Sequence, residues 1–136
     1  MDYHPPISTE RDNMQKILII DDNSVVRSTM ARILELAGYE TITAGDGNEG
    51  LIRMRQDRPD LIITDIIMPE KEGIETIRQI LIEQPGAKIM AVSGGGRHAN
   101  MDFLEAARKL GAMDVLEKPF EPDDLVNRVS RCMKAA

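Results

Sequence analysis

Hydrophobic positions along the chain fall into two alternating kinds of segment. Short β-branched or aliphatic runs occur at Ile17-Leu18-Ile19-Ile20, Leu61-Ile62-Ile63 and Ile89-Met90-Ala91-Val92. Runs this continuous are expected of strands covered on both faces of a sheet. Glu40-Thr41-Ile42-Thr43-Ala44 alternates instead, and Met113-Asp114-Val115-Leu116 contains an acid, so these two read as edge strands. Between them the period changes to that of a helix. Val26, Met30, Ile33, Leu34 and Ala37 form one stripe that Gly38 can end in a left-handed cap. Ile74, Ile77 and Leu81 form another, and Leu125, Val126, Val129 and Met133 a third. A weaker helix is expected near Asn48 to Asp57, and one more from about His98 to Leu110, with Phe103, Ala107 and Leu110 on one face and Gly111 past its end. Five strands alternating with five helices predict an α/β domain with a doubly wound parallel sheet.

Residues 1–14 are polar, contain the Pro5-Pro6 pair and show no apolar period, which predicts a flexible N-terminal tail ahead of a single domain over 15–136. The chain is expected to stand alone, because it stops about one turn after the last apolar stripe. Apolar runs of a few residues fall far short of the roughly 20 that a membrane-spanning helix needs. No apolar stretch follows a basic start, so a cytoplasmic protein is expected. The single cysteine, Cys132, sits beside the last apolar stripe and reads as a small core residue; the nine methionines read as core filler and Phe120 as a packing residue. His4 and His98 have no partner at ligand spacing and read as exposed. A net charge of −6 argues against sequence-independent nucleic-acid binding and favours a cation or a basic partner.

Ligands of such sheets bind beyond the carboxyl ends of the strands. Those ends read Asp21-Asp22, Asp65, Ser93 and Lys118. If the first and third strands are neighbours, three carboxylates meet in one crevice, and a hard divalent ion such as Mg²⁺ would relieve their repulsion. Lys118 is expected to add a positive charge on the far side. Metal and lysine together suit a phosphoryl group, with the Ser93 hydroxyl as a hydrogen-bond donor and a carboxylate as nucleophile.

Asp21-Asp22, Asp65-Ile66-Ile67-Met68-Pro69, Ser93 and Lys118-Pro119-Phe120, at intervals of 43, 28 and 25 residues, resemble the active-site set of the response-regulator receiver family over residues 16 to about 134. The resemblance implies a flavodoxin-like fold with strand order 2-1-3-4-5. It implies that Asp65 accepts a phosphoryl group from a histidine kinase or histidine phosphotransfer protein, with Mg²⁺, for which Mn²⁺ can substitute. Asp22 would ligate the metal directly, Asp21 mainly through water, and Asp65 and the Ile67 backbone carbonyl would complete the set. Ser93 and Lys118 would contact phosphoryl oxygens, and the Lys118-Pro119 bond is commonly cis in such proteins. Switching residues would be Ser93, Gly94, Gly95, Gly96, Val115 and Pro119, acting on the face of the fourth helix, fifth strand and fifth helix, which would meet a downstream protein. A monomer or a weak phosphorylation-dependent dimer is expected, with no released product that would make it an enzyme.

The family usually has Tyr or Phe where this chain has Val115, so switching is expected to run through the backbone, at the permissive Gly94-Gly95-Gly96 triplet. Ile67 and Gly95 offer no side chain to orient an attacking water, which argues for a longer phosphoryl lifetime. Other chemistries lack their residues. An aspartyl-phosphate phosphatase would need an acid at Ile67, a nucleotide-binding P-loop would need Gly-Lys-Ser/Thr after Gly94, and a serine-hydrolase elbow would need glycines at Ala91 and Gly95. A flavin carrier would place its phosphate against Asp21-Asp22. The closest rival is a degenerate receiver that binds protein without phosphorylation, toward which Val115 leans. Taken singly, Asp22 could also be no more than a cap for the first helix.

Overall fold

The computed structural model describes residues 14–66, 72–93 and 105–135. Five strands, β1 (Lys16–Ile20), β2 (Glu40–Ala44), β3 (Leu61–Asp65), β4 (Ile89–Ser93) and β5 (Asp114–Glu117), form one sheet in the order β2-β1-β3-β4-β5. Every pairing is parallel. The helices are α1 (Ser24–Leu36), α2 (Gly47–Asp57), α3 (Glu72–Glu83), α4, described over 105–110, and α5 (Pro122–Lys134). The parallel α/β sheet is the one the hydrophobic pattern predicts, and its strand order is the flavodoxin-like one that the family resemblance implies.

Side chains along a strand alternate between faces, so one apolar run feeds two cores. Leu18, Ile20, Ile62, Ile89 and Ala91 pack with Leu51, Met54, Ile77, Ile80 and Ala107 on the face that carries α2, α3 and α4. Ile17, Ile19, Ile63, Met90 and Val92 pack with Met30, Leu34, Leu125, Val129 and Cys132 under α1 and α5. All of β3 and β4 and four of the five β1 residues are buried, whereas β2 and β5 are only partly covered, as befits edges. Met30, Met54 and Met90 are core residues and Phe120 packs against the second cluster, but Met113 is exposed.

Three expectations shift by a residue or so. The α2 helix begins at Gly47 rather than Asn48, because Asp46 supplies its cap by accepting from the Glu49 N–H. Strand β5 runs from Asp114 rather than Met113, although the Met113 N–H already donates to the Ile89 carbonyl. Ala37 caps α1 and is exposed instead of lying on its buried stripe. Gly38 does take the left-handed conformation, with φ of 100°, and the Tyr39 N–H returns to the Leu34 carbonyl at 3.1 Å. The tail over 1–13, His98, Phe103 and the start of the fourth helix lie outside the described residues. No helix among the described residues is long and apolar enough to cross a membrane.

Two side features have measurable consequences. Arg55 on α2 grips both oxygens of Glu83 on α3, which raises the Arg55 pKa and lowers that of Glu83. A lowered carboxyl pKa contributes stability above the unfolded-state value and loses it as pH falls through the folded value. Replacing Arg55 with Gln is therefore expected to lower thermal stability slightly at neutral pH and leave the acid end of the profile nearly unchanged, so that the variant and wild-type curves converge as pH falls, readable by thermal unfolding across pH. Burial, with Asp114 second, pushes the Cys132 thiol up. The native thiol should resist iodoacetamide at neutral pH and react only on unfolding.

Candidate functional site

The carboxyl ends of β1, β3, β4 and β5 are brought together by the strand order β1-β3-β4-β5. Beyond β1, the Asp21 N–H donates to the Ala44 carbonyl of neighbouring β2 at 3.1 Å, extending the ladder by one residue. The Asp21 side chain is fully buried, and its Oδ1 accepts from the Asn23 N–H at 2.9 Å. Asn23, not Asp22, is the cap of α1: its side-chain oxygen accepts from the Val25 and Val26 N–H groups at 2.9 and 3.1 Å. The capping reading of Asp22 is thereby removed, and Asp22 stands exposed at the mouth of the crevice.

Asp65 ends β3 and is buried to 5% exposure. Carboxylate oxygens of Asp21, Asp22 and Asp65 lie within 4.8 Å of one another. Like charges at about 4 Å repel by about 4 kcal/mol at an effective dielectric of 20, so the cluster needs cations. One comes from Lys118, whose Nζ lies 2.8 Å from Asp21 Oδ2 and 3.3 Å from Asp65 Oδ2. The lysine thus reaches the acids themselves instead of facing them across the crevice. Its backbone N–H donates to the Ser93 carbonyl at 2.7 Å, which ties β5's exit to β4, and the Lys118-Pro119 peptide is cis. Ser93 Oγ is buried with no hydrogen-bond partner among the described residues. A buried hydroxyl of this kind costs about 1–3 kcal/mol unless something pairs with it, which makes it a waiting donor.

Three carboxylates exceed the one lysine by two formal charges, and their oxygens are hard donors, so the residues present fit a divalent ion such as Mg²⁺. The Ile67 carbonyl and the Gly94, Gly95 and Gly96 triplet lie outside the described residues. Val115 is half-buried against the α2/α3/α4 core, and its backbone is fastened on both sides: the N–H donates to Asp114 Oδ1 at 2.8 Å and the carbonyl accepts from Arg128 Nη1 at 3.1 Å.

Two further residues support the strand ends: Arg27, which the strand-end reading does not reach, and Gly73. Arg27 on α1 donates from Nη1 to the Asp21 carbonyl at 2.6 Å. Gly73, in the first turn of α3, packs so tightly that a methyl there would sit 2.3 Å from Ile66 Cα and 2.5 Å from the Asp65 carbonyl oxygen. Replacing Gly73 with Ala should force α3 away from the Asp65 backbone, destabilising the fold by about 3 kcal/mol and slowing phosphorylation, readable by denaturant unfolding and by phosphoprotein yield.

Known proteins give the same picture. A family profile described as response regulator receiver domain matches residues 17–130. The chain is 36% identical over 121 residues to the chemotaxis protein CheY of Thermotoga maritima, covering 88% of this chain and 98% of that protein. It is 32% identical over 120 residues to the alkaline phosphatase synthesis transcriptional regulatory protein PhoP of Bacillus subtilis, covering 88% of this chain and spanning only 49% of that regulator's length. Among solved structures, a response regulator receiver domain protein from Clostridium thermocellum aligns with a TM-score of 0.81 at 31% identity, over 88% of this chain and 94% of that one. The receiver domain of NtrX from Brucella abortus aligns with a TM-score of 0.82 at 30% identity, over 88% and 99%. Strand order, the acid cluster and these likenesses converge on one assignment: the chain belongs to the response regulator receiver domain family of two-component signal transduction.

Proposed function

We propose that this chain is a single-domain response regulator that accepts a phosphoryl group on Asp65 and signals through altered protein contacts. The observation that carries the reading is the bridging of Asp21 and Asp65 by Lys118 inside a cluster of three carboxylates. An Asp65 oxygen forms the new bond to phosphorus as the donor's P–N bond breaks; the imidazole of a histidine kinase or phosphotransfer protein leaves with the bonding pair and takes a proton from solvent. Lys118 moves from carboxylate to phosphoryl oxygen as charge develops there, and the Ser93 hydroxyl donates to a second oxygen. Asp21, Asp22 and Asp65, with the Ile67 carbonyl, would hold Mg²⁺ or Mn²⁺, which supplies charge neutralisation for the transferring group. The chain turns over no released substrate apart from its donor, and so serves as a switch and not as an enzyme.

The output face is that of α4, β5 and α5. With Val115 in the usual aromatic position and its backbone fastened to Asp114 and Arg128, switching runs through the main chain around Ser93 and Pro119. The rival reading, a phosphorylation-independent binding module, is favoured only by Val115. Incubation with acetyl phosphate followed by intact-protein mass separates the two. One phosphoryl addition that requires Mg²⁺ is expected; no addition from acetyl phosphate or from several histidine-kinase donors would turn the reading to the binding module.

A further inference from the structure

Arg27 lies on the first turns of α1, six residues beyond Asp21, and its half-buried guanidinium turns back toward the strand end. Nη1 donates to the Asp21 main-chain carbonyl at 2.6 Å, a short, charge-assisted bond. The same atom lies across the start of the turn that follows β2, where a methyl on Gly45 would be 3.4 Å away. The Asp21 backbone is consequently held on both sides, its N–H by the Ala44 carbonyl and its C=O by Arg27. Its carboxylate is held as well, by the Asn23 N–H and Lys118. Among the described residues Asp22 shows no such set of bonds of its own; it is the exposed member of the acid cluster and stands on the peptide unit whose carbonyl Arg27 grips.

We propose that Arg27 is a positioning residue for the acid cluster: by fixing the Asp21–Asp22 peptide plane through the Asp21 carbonyl, it sets the direction in which Asp22 offers its carboxylate to a divalent cation. The inference rests on the metal reading of the site and adds a residue to it. Outer groups that orient metal ligands commonly change affinity by about 10–100-fold when removed. Arg27 differs from other such groups in sign. Its positive charge beside the acids opposes a second cation, so if charge were its only influence, removing it would tighten metal binding.

The test is calorimetric titration of Mg²⁺ into the wild type and into Arg27→Met, which keeps most of the stem but not the donors, and Arg27→Lys, which keeps one donor group. Thermal unfolding shows that each variant is folded, and the amide resonance of Asp22 in metal-free protein reports on the peptide that carries the gripped carbonyl. The expected result is Mg²⁺ affinity about tenfold weaker in Arg27→Met, partial recovery in Arg27→Lys, and a displaced Asp22 amide resonance before any metal is added. Unchanged or tighter Mg²⁺ binding by a folded Arg27→Met variant overturns the positioning role while leaving the metal site standing. A wild type that binds no Mg²⁺ overturns both.

Discussion

Substitution of Asp65 by Asn is expected to abolish phosphorylation from acetyl phosphate while leaving the fold intact. The amide occupies nearly the same space at the end of β3 but has no anionic oxygen with which to attack phosphorus. Structural damage should be slight, because Lys118 keeps its shorter bond, 2.8 Å to Asp21, when the 3.3 Å partner becomes neutral. Asp22→Asn makes the informative contrast. It leaves the nucleophile and lysine untouched but removes the exposed carboxylate of the cluster, so the Mg²⁺ concentration needed for half-maximal phosphorylation should rise while saturating Mg²⁺ restores much of the yield. Intact-protein mass over a Mg²⁺ series reads both variants. Retained phosphorylation of Asp65→Asn at wild-type yield would move the acceptor elsewhere.

Substitution of Lys118 by Met should make the stability of the protein depend on metal. Asp21 is fully buried, Asp65 nearly so, and among the described residues Lys118 is a cation that touches both. Removing one member of a buried ion pair strands the other, at a cost of about 3–5 kcal/mol; the lysine keeps some exposure, so the lower end is expected. For a domain of this size about 3 kcal/mol corresponds to a fall in Tm on the order of 10 °C. A divalent ion restores the missing charge, so Mg²⁺ should recover most of the loss, and its affinity should not be weaker than in wild type because the competing ammonium is gone. Thermal unfolding with Mg²⁺ and with chelator gives the answer. A variant with wild-type Tm in chelator would show that the lysine contributes little to holding the acids. The same variant, once phosphorylated, should fail to convert phosphorylation into altered partner binding, because no side chain remains to link β5 to the phosphoryl oxygens.

Much of the architecture was legible in one dimension because its signals are local. Ile17–Ile20, Leu61–Ile63 and Ile89–Val92 are apolar at every position, which a strand tolerates only between two helical layers, and that fixed the parallel sheet and its three inner strands. Strand ends then pointed to Asp21, Asp22, Asp65, Ser93 and Lys118, and the structure brings their described atoms into one crevice. What escaped depends on distance across the fold. Asp22 and Asn23 are both good caps by residue type, and only the backbone geometry gives the task to Asn23. The reach of Lys118 to Asp21 spans 97 residues of chain. Nothing local marks Arg27, between Val26 and Ser28, as a guanidinium that folds back on a carbonyl six residues earlier. Gly73 lay beside the motif, but its reason, the contact of α3 with the Asp65–Ile66 backbone, is visible only in three dimensions.

Locating the phosphoryl group on a single residue tests the central claim most directly. Protein phosphorylated by acetyl phosphate in Mg²⁺ would be reduced with borohydride, which converts an aspartyl phosphate to homoserine, and mapped by peptide mass spectrometry. Homoserine at position 65, absent when Mg²⁺ is withheld, is the predicted result. Homoserine at position 21 or 22, or a phosphoryl group that resists reduction because it sits on a hydroxyl such as Ser93, would contradict the account.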